Sequence, residues 1–192
     1  MDSLYRINEI FYSLQGEGHH TGTPAVFIRF SGCNLRCPFC DTDFASSRAI
    51  TLGEIMESAM RYPARFVVLT GGEPSLQADD ALVRALHDAG FYIAIETNGT
   101  HALPAGIDWV TVSPKEGGKV VLTDASEVKV VFTGQEVERY HADIRSSHYY
   151  LQPCARTIDG DMTDNREEVI DYCMAHPHWH LSLQTHKLLG IR

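Results

Sequence analysis

The sequence has no apolar run approaching the roughly 20 residues that a membrane-spanning helix needs, so no membrane role is expected. Its start, MDSLYRINEIF, has neither the basic segment nor the apolar core of a secretory signal, and a cytoplasmic protein is expected. There is no internal repeat, no low-complexity stretch and no recognisable linker, which sets aside solenoids and tandem arrays. With 192 residues, 44% of them hydrophobic, the chain can bury one substantial core, so residues 1–192 are expected to form one domain. A basic surplus is missing too: 16 Lys and Arg face 25 Asp and Glu, spread along the chain, which argues against a nucleic-acid partner. Nor is there a disulfide framework to read, because five cysteines is an odd number and a cytosolic compartment keeps thiols reduced. Metal binding is the better reading. Cys33, Cys37 and Cys40 fall within eight residues, while Cys154 and Cys173 stand apart and are read as small packed hydrophobes.

What is present alternates. Stretches rich in branched and aromatic residues recur at RINEIFYSL, PAVFIRFSG, RFVVLTGG, FYIAIETNG, DWVTVSPK, EVKVVFTG, HYYLQP and HLSLQT, mostly closed by Gly, Pro, Asn or Ser, and read as strands. Helical patterns lie between them. TLGEIMESAMRY has Thr51 and Glu54 at capping-box spacing; DDALVRALHDAG ends on Gly90; DNREEVIDYCMAH has Asp164 placed to cap its start. The alternation calls for parallel strands joined by crossovers, hence an α/β fold. About half a dozen units are too few for a closed eight-stranded barrel of roughly 250 residues, so an open or partial β/α barrel of about six parallel strands is expected. Functional residues of such sheets collect where strands end, and the ends here are polar: Thr70 to Pro74, Glu96 to Asn98, Ser113 to Lys115, and Gln152.

The segment CNLRCPFCDTDF follows a predicted strand and places three thiols at spacings of four and three residues. A structural zinc ion normally takes four protein ligands, as does a [4Fe–4S] cluster, and no fourth cysteine is close in sequence. Two readings stay open on the residues alone: a zinc loop completed by a distant His or Cys, or a cluster with one iron left open for chemistry. The C-x3-C-x2-C loop, with Phe39 just before the last cysteine, resembles the signature of the radical S-adenosylmethionine superfamily. The resemblance implies a [4Fe–4S] cluster on Cys33, Cys37 and Cys40, with S-adenosylmethionine on the open iron and Phe39, Cys40 and Asp41 beside it. TGGEP reads by itself as a strand-to-helix turn whose glycines let backbone approach a ligand. In the superfamily a GGEP segment contacts the methionine amino group, which implicates Gly71, Gly72 and Glu73. The same likeness implicates Glu96 in ETNG, Ser113, Pro114 and Lys115 in SPK, and Gln152 in LQP as cofactor-binding positions.

Three further segments resemble one family, 7-carboxy-7-deazaguanine synthase. In FYSLQGEGHHTGTPAVFIRFSGCNLRC the family's pterin-binding run corresponds to Leu14, Gln15, Gly16 and Arg29. Gln15 and Glu17 can match the donor and acceptor edge of a pterin, and Arg29 can pair bidentately with a carboxylate. In CDTDF the family uses the threonine, here Thr42, as a Mg²⁺ ligand, although Thr42 and Asp43 would also suit a plain turn. The ending LSLQTHKLLGIR resembles the family's QTHK segment and tail, so His186 and the carboxylate of Arg192 are expected at the substrate, as is Thr70. The resemblance further implies a homodimer and an electron donor such as flavodoxin. A radical activase of a glycyl protein would share the cysteines and GGEP, but would not need SLQGEG, Arg29 or QTHK. A non-catalytic iron–sulfur carrier would need none of these. Near the end, HPHWH sets His176, His178 and His180 in alternation as in a metal site on one strand face, but no carboxylate or cysteine neighbour in sequence completes a set.

Overall fold

In Pro24–Phe30 (β2), every second side chain faces the same way, and the chain assigns those two faces different chemistry. Val26, Ile28 and Phe30 join one buried cluster, while Ala25 and Phe27 join another on the opposite face, with Arg29 next in line. The same alternation recurs in Phe66–Gly71 (β4), Tyr92–Thr97 (β5) and Glu127–Phe132 (β7). Val67, Leu69, Ile93, Ile95, Val128 and Val130 point to the outer clusters; Thr70, Glu96 and Lys129 take the alternate positions. Trp109–Val112 (β6) and Tyr149–Pro153 (β8) complete the set of longer parallel strands. The structure, a computed structural model, describes residues 4–40, 46–158 and 161–192.

These strands form one open sheet with Leu4–Leu14 (β1), Arg48–Thr51 (β3) and His180–Leu181 (β11), in the order β11-β8-β7-β6-β5-β4-β2-β1-β3. From β11 to β2 every neighbour is parallel. The expected partial barrel of about six parallel strands is therefore what forms, with a difference at one edge: β1 runs antiparallel to β2 and β3 antiparallel to β1. The reason is the short connection over residues 15–23, since a parallel crossover needs a dozen or more residues. Ala155–Ile158 (β9) and Asp161–Asp164 (β10) form a separate hairpin that the sequence did not announce.

The expected helices form where their caps sit. Leu52–Met60 (α1) opens on a complete capping box, Thr51 N–H to Glu54 Oε2 at 2.7 Å and Glu54 N–H to Thr51 Oγ1 at 3.3 Å. Asp80–Asp88 (α2) is capped by Asp79, whose Oδ1 accepts from Leu82 N–H at 2.9 Å; Gly90, at φ +79°, turns the chain out of it. In Arg166–Ala175 (α4) the N-cap residue is Asn165 rather than the expected Asp164, which instead accepts from the Arg166 N–H two positions on at 3.0 Å. HLSLQT contributes only two strand residues before the chain coils into Thr185–Leu189 (α5). Glu138–Asp143 (α3) packs with Val137 and Tyr140 into the outer cluster that also holds Trp179. Among the described residues no helix is long and apolar enough to cross a membrane.

Candidate active site

Parallel register turns the inward-facing polar positions into a row. Arg29 of β2 pairs with Thr70 of β4, and Leu69 with Ile95, which brings Thr70 beside Glu96 of β5; their side chains bond at 2.9 Å. Around this row lies a cavity of about 410 Å³, a size suited to a small ligand with its cofactor.

One end of the cavity is bordered by Cys33, Cys37 and Cys40 together with Phe39. Cys33 and Cys37 are half-buried and Cys40 is exposed. Leu35 N–H donates to Cys33 Sγ at 3.4 Å, and Asn34 ties the loop to the end of β5 by accepting from Asn98 Nδ2 at 3.0 Å. The backbone of TGGEP threads past this loop: Gly72 N–H donates to the Phe30 carbonyl and Glu73 N–H to the Gly32 carbonyl, each at 2.9 Å. A Cβ on Gly72 would lie 2.0 Å from the Gly32 oxygen, and one on Gly71, at φ +110°, 2.3 Å from the Phe30 oxygen, so only glycine permits the approach. Ser113 and Lys115 border the same end, the Lys115 Nζ donating to the Ser113 carbonyl at 2.9 Å; burial, then the nearby charge of Lys129, lowers the lysine pKa. Gln152 is buried at the wall with no partner for its Oε1 among the described residues, an acceptor left for a ligand. Three thiols on one loop beside glycine-lined backbone fit an iron–sulfur cluster and a small zwitterionic cofactor.

Glu73 borders the cavity and is also engaged by the protein itself. It is 1% exposed, and its two oxygens accept from Thr97 Oγ1 at 2.6 Å, Ser75 N–H at 3.0 Å and Asn98 N–H at 2.7 Å. It therefore fastens the end of β4 to that of β5.

The other end is built by the 15–23 connection and the C-terminal segment. Gln15 Nε2 donates to Glu96 Oε1 at 3.3 Å, and Glu17 is held by Lys129 Nζ at 2.5 Å and Gln184 Nε2 at 2.8 Å. Lys129, 4% exposed, also reaches Glu96 Oε1 at 3.1 Å. Burial works against its charge, but Glu17 and Glu96 outweigh that and hold it above the ordinary lysine range. Burial would likewise raise Glu17, yet Lys129 and the Gln184 bond bring it well below the usual carboxylate range. Glu127, buried with the His19 N–H bonded to it at 2.8 Å, is pushed up to about 7 by burial despite Lys129. Gly16 leaves space for His186, whose Nδ1 would lie 2.1 Å from a Cβ there, and the Gly16 carbonyl accepts from Thr185 N–H at 2.9 Å. Leu14 and His186 border the cavity. So does Arg29, whose Nε bonds Glu9 at 3.0 Å; Arg192 pairs with the same carboxylate, and both guanidinium groups lie over Phe11.

Of the positions expected from sequence, Pro114 is buried outside the cavity wall, and Asp41 and Thr42 lie outside the described residues. Comparison with known proteins meets this geometry at the cysteine loop: residues 27–124 match the model of the Radical SAM superfamily. A 7-carboxy-7-deazaguanine synthase of Bacteroides thetaiotaomicron is 56% identical over 189 residues, covering 98% of this chain and 100% of that one.

The chain belongs to the 7-carboxy-7-deazaguanine synthase family.

A second relative of that name, from Nitratidesulfovibrio vulgaris, is 44% identical over 214 residues, with 97% of this chain and 99% of the relative covered. The crystal structure of QueE from Escherichia coli superposes with a TM-score of 0.74 at 32% identity, over 94% of this chain and 93% of that one. As a radical S-adenosylmethionine family, 7-carboxy-7-deazaguanine synthases imply the [4Fe–4S] cluster and S-adenosylmethionine that the three-thiol loop accommodates. Sequence reading missed Lys129 and Gln184 in this family member. The signal for Lys129 was present: a lysine inside EVKVVF, in a parallel strand buried on both faces, needs a charged partner.

Proposed function

We propose that this chain converts 6-carboxy-5,6,7,8-tetrahydropterin to 7-carboxy-7-deazaguanine with release of ammonia, on the route to queuosine and other 7-deazapurines. The observation that carries this is a single cavity bordered by Cys33, Cys37 and Cys40 at one end and by Arg29, Gln15 and Glu17 at the other. Cys33, Cys37 and Cys40 would hold the cluster, which with S-adenosylmethionine supplies one-electron hydrogen abstraction. Gly71, Gly72, Ser113, Lys115 and the unpartnered Gln152 oxygen would surround the cofactor, with Phe39, Asp41 and Pro114 in support. Glu73 would act through the strand ends it fastens.

Arg29 has its Nε on Glu9 and two Nη groups with which to fork onto the pterin carboxylate. Glu17, kept ionised by Lys129, would accept from the N–H groups of the pterin ring, and Gln15 would offer both a donor and an acceptor. Thr70 would lie beneath it, with Glu96 beside Thr70 facing the cofactor, and Leu14, Gly16, His186 and Arg192 would close the other side. Thr42 would ligate Mg²⁺ together with substrate oxygens and water. A flavodoxin-like reductant and a homodimer complete the reading.

The test is anaerobic reconstitution, incubation with the carboxypterin and chromatography of the products. Arg29→Ala is expected to lower kcat/KM by roughly 30-fold or more, since truncating one partner of a buried charge pair costs about 2–5 kcal/mol. Reductive cleavage of S-adenosylmethionine without substrate should persist in that variant. Near-normal carboxypterin turnover by Arg29→Ala would remove the residue from the site.

A further inference from the structure

We propose a further metal site, remote from the cavity, in which Glu138, His141 and His178 bind a zinc ion. Glu138 and His141 are three residues apart on α3, so both side chains emerge on one face. His178 comes from the turn between α4 and β11. One ligand atom from each of the three lies within 4.8 Å of the others. Two atoms bound tetrahedrally at about 2.0–2.1 Å from zinc are about 3.3 Å apart. Glu138 Oε2 and His178 Nε2, at 3.0 Å, are already close to that separation. His141 is exposed and its ring centre is 4.4 Å from that of His178, so a small side-chain rotation closes the set.

The carboxylate is also oriented from behind, as metal ligands generally are. Glu138 Oε1 accepts from Tyr172 Oη at 2.8 Å and from the indole N–H of Trp179 at 2.9 Å, and Trp179 is buried. Those two bonds fix one oxygen and present the other to the histidines. A simple Glu138–His178 ion pair accounts for two of the three residues. The second imidazole, His141, packs its ring 4.5 Å from that of Tyr149, which holds it beside them. Two imidazoles, one carboxylate and a position open to water make a donor set that zinc commonly occupies.

HPHWH lacks a carboxylate neighbour in sequence, but the fold supplies one from 40 residues upstream. The alternating histidines do not act together: His176 Nδ1 lies 3.0 Å from the Tyr172 carbonyl, and His180 packs its ring 5.8 Å from Tyr150. Only His178 joins the cluster. None of the three ligands borders the cavity, so the ion would clamp α3 to the α4–β11 turn without touching the substrate.

The experiment uses holoenzyme with its iron–sulfur cluster in place, so that Cys33, Cys37 and Cys40 are occupied. It is dialysed anaerobically against micromolar ZnCl2 and examined by metal analysis and zinc X-ray absorption. The expected result is one zinc per chain in a shell of nitrogen and oxygen only. His141→Ala and His178→Ala should each weaken binding on the order of 100-fold, and Tyr172→Phe, which removes no ligand, about 10-fold. Unchanged iron content reports that each variant is folded, and His141→Ala, at an exposed position, carries the test if His178→Ala does not fold. The proposal is overturned if the holoenzyme takes up no zinc, if sulfur at about 2.3 Å appears in the shell, or if His141→Ala binds zinc as the parent does.

Discussion

Lys129→Met removes the only cation bonded to Glu17 and Glu96 among the described residues and leaves two carboxylates facing each other in the interior. The lysine side chain is 5% exposed, and those of Glu17 and Glu96 are 16% and 23% exposed, so water screens the group poorly. Breaking a buried ion pair by deleting one partner costs about 3–5 kcal/mol, because the remaining charge stays desolvated. For a chain of this size each kcal/mol moves the melting temperature by about 2–4 °C, so a fall of about 6–20 °C is expected at pH 7.5. Circular dichroism of the anaerobic protein would measure it. The pH dependence follows from the direction of each shift. Glu17, with its folded pKa depressed, stabilises above its unfolded value and loses that contribution as pH falls through the folded one. Lys129, with its pKa raised, contributes fully below its unfolded value and loses the contribution only as pH rises past the folded one. The gap between parent and variant should therefore hold from about pH 5 to 9 and narrow in acid. Adding Glu17→Gln and Glu96→Gln to Lys129→Met removes the stranded charges and should restore most of the stability but not turnover. If Lys129→Met melts within about 2 °C of the parent, which is less than 1 kcal/mol, the buried network does not hold the loop and the reasoning is wrong.

Cys33→Ala, Cys37→Ala and Cys40→Ala should each abolish the reconstituted cluster and activity, whereas Cys154→Ala and Cys173→Ala keep both; an intact four-iron cluster in any of the first three would undo the ligand assignment. Glu127 has its folded pKa raised from 4.5 to about 7, so its stabilising contribution is complete below pH 4.5 and is lost as pH climbs toward 7. Across that window the parent should lose on the order of 3 kcal/mol relative to Glu127→Gln in denaturant titrations, and parallel pH curves would rule this out. Turnover should fall in chelator and recover with Mg²⁺ while the cluster spectrum stays constant; Thr42→Ala with the parent's Mg²⁺ response would exclude the threonine as a ligand.

How far the sequence could be read depended on whether a signal was local. Thr70 and Glu96 were legible as polar ends of apolar strands, and Arg29 through its likeness to the family's pterin-binding run. The capping box at Thr51 and Glu54 is likewise contained in four residues. The partners of those side chains were not legible, because Glu17 meets Lys129 across 112 positions and Gln15 meets Glu96 across 81. GGEP suggested an acceptor at Glu73, but its internal partners Thr97 and Asn98 lie 24 and 25 positions on, beyond what the motif contains. The antiparallel edge was predictable from the length of the 15–23 connection but obscured by the regular strand–helix rhythm that follows it. Helix α3 has six residues and no side-chain cap bond, too little for periodicity to reveal.

The charges lining the cavity, taken together, argue for one orientation of the proposed substrate. At the Phe11 side, the guanidinium groups of Arg29 and Arg192 both pair with Glu9, which gathers N–H donors there. At the Lys129 side, one ammonium is shared by Glu17 and Glu96, which gathers carboxylate acceptors there. A pterin carrying a carboxylate has the complementary polarity: an anionic group at one end and a ring edge rich in N–H donors at the other. Reversing it would set the substrate carboxylate against Glu17 and Glu96 in a poorly hydrated interior, where like charges repel by several kcal/mol. In the proposed pose Arg29 and Lys129 would act from opposite ends, one by attracting the carboxylate and the other by keeping Glu17 an acceptor. Removing either cation relaxes that selection, and substituting both should cost less than the sum of the single losses, because the two residues hold a single bound ligand.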